Sequence, residues 1–326
     1  AVDRADSSGR TALMRACDVG RPACVRALIN AGAAVDPVNQ NGETALIGAC
    51  RRGHVTCARA VIDAGAATDS VANDGWTALM HACAQDHVAC ARALIDAGAA
   101  MDKVNNYGNT ALMWACDKGH HECARALIDA GAAVDKVNNV GCTALIWACY
   151  NGQCACAQAL IDAGAAVDTV DEDGWTALME ASHFGHDECT RALVDAQADI
   201  ELTNQDGQNA LMVACWSSPL DYCKSMREGR IRCALALLEA TAPIHEADFP
   251  DWAVSLQFAC ERLQLIAVVL ASTHVIEDAP PLASVNALKT DAQDIVAKFA
   301  RDRLGLLARA EVVGPSGLRL AANTKR

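Results

Sequence analysis

Large aromatic side chains are scarce in this sequence, with four Phe and three Tyr among 326 residues. A single globule of this length draws much of its buried area from large side chains, so the shortage argues against one central core. Long apolar runs are missing too. No stretch approaches the roughly 18 residues that a membrane span needs, and residues 1–11 (AVDRADSSGRT) lack the apolar centre of an export signal. The expectation is a chain that neither spans a membrane nor is exported. Basic residues are outnumbered, 27 against 40 acidic, for a net charge of −13; that balance argues against a nucleic-acid partner. The glycines do not cluster as a phosphate loop. What the chain has instead is abundant alanine and 17 Cys. At this length and without an export signal, the cysteines fit reduced thiols in a cytoplasmic or nuclear compartment better than a disulfide framework.

Self-similarity explains the unusual recipe. Asp3, Asp36, Asp69, Asp102, Asp135 and Asp168 recur every 33 residues, and Glu201 takes the next slot. Gly9, Gly42, Gly75, Gly108, Gly141, Gly174 and Gly207 keep the same phase, and Thr-Ala-Leu follows at 11–13, 44–46, 77–79, 110–112, 143–145 and 176–178. Each unit reads as helix, tight turn, helix and extended loop. In the first, Thr11 caps a helix whose Leu13, Ala16 and Cys17 share one face, and Gly20 stops it. Cys24, Ala27 and Leu28 repeat that spacing on a second helix ending at Gly32. Helices of two turns are marginal in water, so neighbouring units must cover their apolar faces; the result is a stacked all-α solenoid without a central core.

This pattern resembles the ankyrin repeat, a 33-residue unit carrying Gly-x-Thr-Pro-Leu-His, then Gly-His, then Gly-Ala-Asp. One unit here shows Gly75, Thr77, Leu79, His87, Gly98 and Ala99, and the resemblance covers residues 3 to about 240 in seven phased copies. The family's Pro is Ala here, and its His is Met14, Ile47, Met80, Met113, Ile146, Met179 and Met212. The hydrogen bonds of that His are therefore lost, and packing must replace them.

Regularity fails toward the C-terminus. Cys17 and Gly20 are three positions apart, whereas Cys215 and Gly229 are fourteen apart, so eleven residues are inserted near 217–228 and read as a surface loop. Gln197 and Thr241 replace helix-ending glycines. Residues 241–272 read as a degenerate capping eighth unit, 273–288 as a linker, and 289–326 as a basic tail with a short amphipathic helix near 290–304. The tail holds eight basic and four acidic residues, which leaves −17 on residues 1–288. At the opposite end, unit one keeps Leu13, Ala16, Cys17 and Leu28 with no preceding cap. Either repeats are missing upstream or a second subunit or partner covers that face.

Repeated residues carry no evident chemistry. Cysteines form two columns, and His54, His87, His120 and His186 stand three positions before Cys57, Cys90, Cys123 and Cys189. These Cys occupy apolar slots and a fourth ligand is not evident, so no metal and no cofactor are expected. Disulfides between units are disfavoured because packed helix axes lie about 8–10 Å apart. Asp171, Glu172 and Asp173 resemble the start of a calcium loop that lacks its closing Glu. Arg59–Asp63, Arg92–Asp96 and Arg125–Asp129 are spaced as i, i+4 pairs on an outer face. No nucleophile with an activating base stands outside the columns, so the chain reads as non-enzymatic.

Variable slots tell more. The residue before Thr runs Arg10, Glu43, Trp76, Asn109, Cys142, Trp175, and the one two after Leu runs Arg15, Gly48, His81, Trp114, Trp147, Glu180. With Arg51, Tyr150, Phe184 and Trp216 near the ends of first helices and Tyr107 at a finger tip, most aromatics fall where the scaffold leaves freedom. The resemblance implies that these slots line a concave groove. Trp, Tyr and Arg dominate binding hot spots. The candidate protein-binding residues are therefore Trp76, His81, Tyr107, Trp114, Trp147, Tyr150, Trp175, Phe184, Trp216 and Arg51. For Trp114 and Trp147 the alternative is packing between successive first helices. The expected function is a non-catalytic scaffold or adaptor binding a protein partner, and removing Trp76 and Trp175 should leave folding nearly intact. The rival reading is a regulatory or targeting part of a larger enzyme; a thiol-based metal or redox store is a third.

Overall fold

A computed structural model describes residues 2–215 and 224–240, together with the short segments 310–312 and 318–320. Seven first helices, α1 (Ala12–Asp18), α3 (Ala45–Arg51), α5 (Ala78–Ala84), α7 (Ala111–Lys118), α9 (Ala144–Tyr150), α11 (Ala177–Phe184) and α13 (Ala210–Cys215), pack one on the next. A parallel layer holds α2 (Pro22–Asn30), α4 (Val55–Asp63), α6 (Val88–Asp96), α8 (His121–Asp129), α10 (Cys154–Asp162), α12 (Asp187–Asp195) and α14 (Lys224–Ala240). The expected solenoid of helix pairs is what forms. Two strands, β1 (Ala310–Val312) and β2 (Leu318–Leu320), pair antiparallel within the segment expected to be a tail. Among the described residues no helix is long and apolar enough to cross a membrane.

Local chemistry sets each unit's start. Thr11, Thr44, Thr77, Thr110, Thr143 and Thr176 are extended, and each hydroxyl accepts from the backbone N–H three residues on, at 3.1–3.3 Å. That satisfies one of the orphan donors of a helix start. Length is short, seven or eight residues for the first helices from α1 to α11, so stability comes from stacking. Leu13, Leu46, Leu79, Leu112, Leu145 and Leu178 are at most 2% exposed and run along the stack in one continuous core. The Met and Ile that replace the resemblance's His lie in the same core, from Met14 to Met179, so packing does take over from hydrogen bonding there. Met113 does both, its Sδ accepting from Thr110 N. Met212, the seventh in that column, is exposed.

The aspartate column ties each unit to the next. Oδ1 of Asp3, Asp36, Asp69, Asp102, Asp135 and Asp168 accepts from the backbone N–H 31 residues ahead, at 2.8–3.0 Å. Asp102→Ala is expected to cost about 1 kcal/mol in a urea melt, the ordinary net worth of one such bond. No loss would mean that solvent serves Ala133 N equally well.

Two local expectations change, and one irregular position keeps the geometry of the repeat. Gly229 does not end a helix: α14 runs 17 residues straight through it and begins at Lys224, inside the segment expected to be a loop. Gln197 takes the left-handed conformation of the glycine it replaces, at φ 62°. The Arg59–Asp63, Arg92–Asp96 and Arg125–Asp129 pairs do not close; Arg92 reaches Glu122 of the next unit at 3.5 Å instead. Once units are stacked, a carboxylate on the adjacent repeat competes with the one a turn away. Trp216, residues 217–223, Thr241, the degenerate unit 241–272, the linker 273–288 and the helix near 290–304 lie outside the described residues.

Candidate functional site

Each unit has two positions whose side chain changes from repeat to repeat: the one before the capping Thr, at the finger base, and the fourth residue of the first helix. Stacking at a repeat of 33 lines these up along one surface. Trp76 lies against His81 of its own unit, centroids 4.7 Å apart, and against Trp114 of the next, at 4.6 Å and 34°. A second run begins at Trp147, which meets Tyr150 edge-on at 5.8 Å. Tyr150 meets Phe184 of the following unit at 4.7 Å, Phe184 meets His183 at 4.8 Å, and His183 meets Trp175 at 5.4 Å. Five rings from two units thus touch in sequence. Edge-to-face pairs at such distances contribute about 0.5–1.5 kcal/mol each beyond burial.

Trp76, Trp114, Trp147 and Trp175 are all half-buried and rest on the core. The indole N–H groups of Trp114 and Trp147 are buried without a hydrogen-bond partner. One edge of each ring therefore belongs to the scaffold, as the packing alternative has it, while part of the ring stays open. Half-burial of Trp76 and Trp175 also revises the expectation that their loss leaves folding nearly intact; each truncation removes ring area from the core surface, at about 1–2 kcal/mol. Tyr150 and Tyr107 are exposed, and Tyr107, at the tip of its finger, joins neither run of rings.

Charge divides the surface. At the first two units Arg51 bonds both Glu43 and Asp18, Arg10 bonds Asp18 at 2.9 Å, and Asn39 Nδ2 donates to Glu43 at 2.8 Å. Arg51, offered by the sequence as a binding residue, is thus engaged within the fold. Burial, with the Arg51 charge nearby, lowers the pKa of His81. The sixth unit is different: burial first, and then the Asp171 carboxylate, push Glu180 up to about 7. Burial, with Asp171 and Glu180 close by, likewise pushes the Cys142 thiol up to about 12. Glu180, seen in the sequence as a variable slot, and His183 are both missing from the candidate binding residues, yet they stand 33 positions after Trp147 and Tyr150.

The histidine column serves the turns. A Cβ on Gly20 would lie 2.7 Å from the His54 ring, and one on Gly53 would lie 2.6 Å from His87 Nδ1, so each ring covers the glycine turn of the preceding unit. Among the described residues no three metal-ligating side chains gather. The thiols do something the axis spacing does not suggest. The Cys50 thiol faces that of Cys90, Cys83 that of Cys123, Cys116 that of Cys156 and Cys149 that of Cys189, and this proximity together with burial holds the first member of each pair well above the ordinary thiol range. All described cysteines are free thiols. At the N-terminal end, Val19 and Cys24 are exposed beside Ala16 and Leu28, around an open depression of about 610 Å³.

Comparison with known proteins agrees with this geometry. The family model described as ankyrin repeats (3 copies) matches residues 13–105, 62–138, 97–171 and 145–242. Among solved structures, the human ASB11 ankyrin repeat domain is similar at 28% identity and a TM-score of 0.60, covering 72% of this chain and 100% of that one. The ankyrin repeat domain of Bcl-3, a member of the IkappaB protein family, is similar at 29% identity and 0.60, covering 71% and 100%. An ankyrin repeat domain from Acinetobacter baumannii AYE reaches 32% identity and 0.54, covering 57% and 98%. No curated protein matches the chain.

Proposed function

Since the chain belongs to the ankyrin-repeat family, whose repeats are generally protein–protein interaction modules, we propose that it is a non-catalytic scaffold or adaptor that grips a protein partner along the surface of its finger bases and first helices. One observation carries this reading: the side chains that differ from unit to unit converge into contiguous rings, from Trp147 through Tyr150, Phe184 and His183 to Trp175. Folding has no use for an exposed Tyr150 in that chain of contacts. Rigid aromatic area with a polar rim is what interface hot spots are made of. The free thiols support a reducing cytoplasmic or nuclear setting.

The experiment compares two variants in cross-linking and affinity capture from cell extract. Tyr150→Ala with Trp175→Ala is expected to reduce recovery of the captured protein at least tenfold, while Arg92→Ala on α6 leaves recovery unchanged. Circular dichroism melts run in parallel, where the double variant is expected to lose about 2–4 kcal/mol yet remain folded at the capture temperature. Undiminished recovery with the double variant would remove this surface from recognition.

A further inference from the structure

We infer that the sixth unit, where Glu180 shares the exposed side of α11 with His183 and Phe184 and takes the slot one repeat beyond Trp147, receives a lysine or arginine side chain of the partner. The inference rests on the recognition reading above and gives the partner its chemistry.

Glu180 lies on α11, on the helix face that also carries His183 and Phe184. It is one repeat beyond Trp147 in the same slot, and five residues after Trp175. Its carboxylate is half-buried and has neither a hydrogen bond nor an ion pair among the described residues, and the charge it feels most is another acid, Asp171. The same surface shows how the fold treats a carboxylate it intends to satisfy. Glu43, four units earlier, is held by Arg51 and Asn39, with Arg10 at 3.9 Å. Among the described residues no such cation reaches Glu180. Asp171, Glu172 and Asp173 at the finger tip add further negative charge, and among the described residues no cation pairs with them.

A cation arriving from outside supplies what this place lacks. Its charge is attracted by Glu180 and Asp171, and its stem or guanidinium plane rests on indole faces, a contribution that grows as water is excluded. The carboxylate oxygens need N–H donors, so unmodified lysine and arginine are preferred to a trimethylammonium head, which has none. An apolar anchor would leave Glu180 desolvated and unpaired, and an acidic one would be repelled.

The test uses the full chain and the acetylated, amidated heptapeptide Gly-Ser-Leu-Arg-Leu-Ser-Gly, titrated at pH 8 while the indole N–H resonances of Trp147 and Trp175 are followed by NMR. Parallel titrations replace arginine with lysine, trimethyllysine or the neutral isostere citrulline. Both resonances are expected to move, with the arginine peptide binding about tenfold more tightly than the citrulline one and lysine more tightly than trimethyllysine. In Glu180→Gln the preference for arginine over citrulline should fall to about twofold, the part left to Asp171 and the indole faces, while the weaker binding persists. Equal affinity for arginine and citrulline in the wild type, or a preference undiminished in Glu180→Gln, overturns the cation assignment and leaves the groove standing. Should no peptide move either indole, the cation assignment and the groove reading fall together.

Discussion

Glu180→Gln is expected to melt about 5–10 °C above the wild type at pH 8 and level with it at pH 4. The reasoning is one of linkage. Burial and the neighbouring Asp171 raise the Glu180 pKa from 4.5 to about 7 in the folded chain, so the native state holds a proton that the unfolded state has already released. The stabilisation from that retained proton is fully present below pH 4.5 and is lost as pH rises through about 7. The span corresponds to a penalty on the order of 3 kcal/mol for carrying the charged carboxylate at pH 8. Gln keeps the shape and has no charge to desolvate. Thermal melts of both proteins from pH 4 to pH 8 read the difference directly, and other titrating groups largely cancel between them. Parallel melting curves across that range would show that water reaches Glu180 freely, and would remove the contrast with Glu43 as well.

Gly229→Ala should destabilise the C-terminal end by about 1–3 kcal/mol, although helix propensity taken alone predicts the opposite sign. In an exposed helix interior, Ala is favoured over Gly by about 1 kcal/mol. Gly229, however, lies inside α14 with its missing Cβ aimed at the backbone carbonyl of Gly185. Gly185 in turn has φ 74°, and a Cβ on it would stand 2.5 Å from Met226 O and 2.8 Å from Arg230 N. Two glycines thus let the last helix of the second layer rest its backbone on the end of α11. A clash with main chain cannot be relieved by a rotamer change. Separation of α14 from α11 would also cost the bond from Arg230 Nε to His183 O, and His183 is one of the five contiguous rings. Gly131→Ala is the control: its φ is 88° but nothing lies within 4 Å of the added Cβ, so it should lose only the conformational cost of about 1 kcal/mol. Urea melts followed by circular dichroism separate the two. A neutral or stabilised Gly229→Ala protein would mean that α14 does not rest against Gly185.

The repeated structure was readable residue by residue because its causes are local or recur at a fixed offset. Thr11 caps the helix that follows it, Leu13 falls on the face that Ala16 and Cys17 share, and Asp3 needs only the next unit's loop at its regular distance. The variable slots were readable for the converse reason. A residue that changes while its neighbours repeat, as Trp76, Trp114 and Trp175 do, answers to something other than the stack.

What stayed hidden depends on the offset between layers, which no periodicity carries. The 40-residue step that brings Cys50 to Cys90 crosses from one helix layer to the other and from one unit to the next. Arg92 turned to Glu122 because stacking offered it a closer acid than the helix did. Gly229 looked like a turn by alignment and proved to be a contact, since a helix passes through glycine whenever a neighbouring backbone is near enough to reward it. Composition and period alone determined a chain of short, capped, apolar-faced helices that must stack, because none of them could stand in water by itself. Only the tertiary structure decided that Glu43 is answered by arginines while no described cation answers Glu180, because charge compensation depends on which side chains a neighbouring unit brings within a few ångströms.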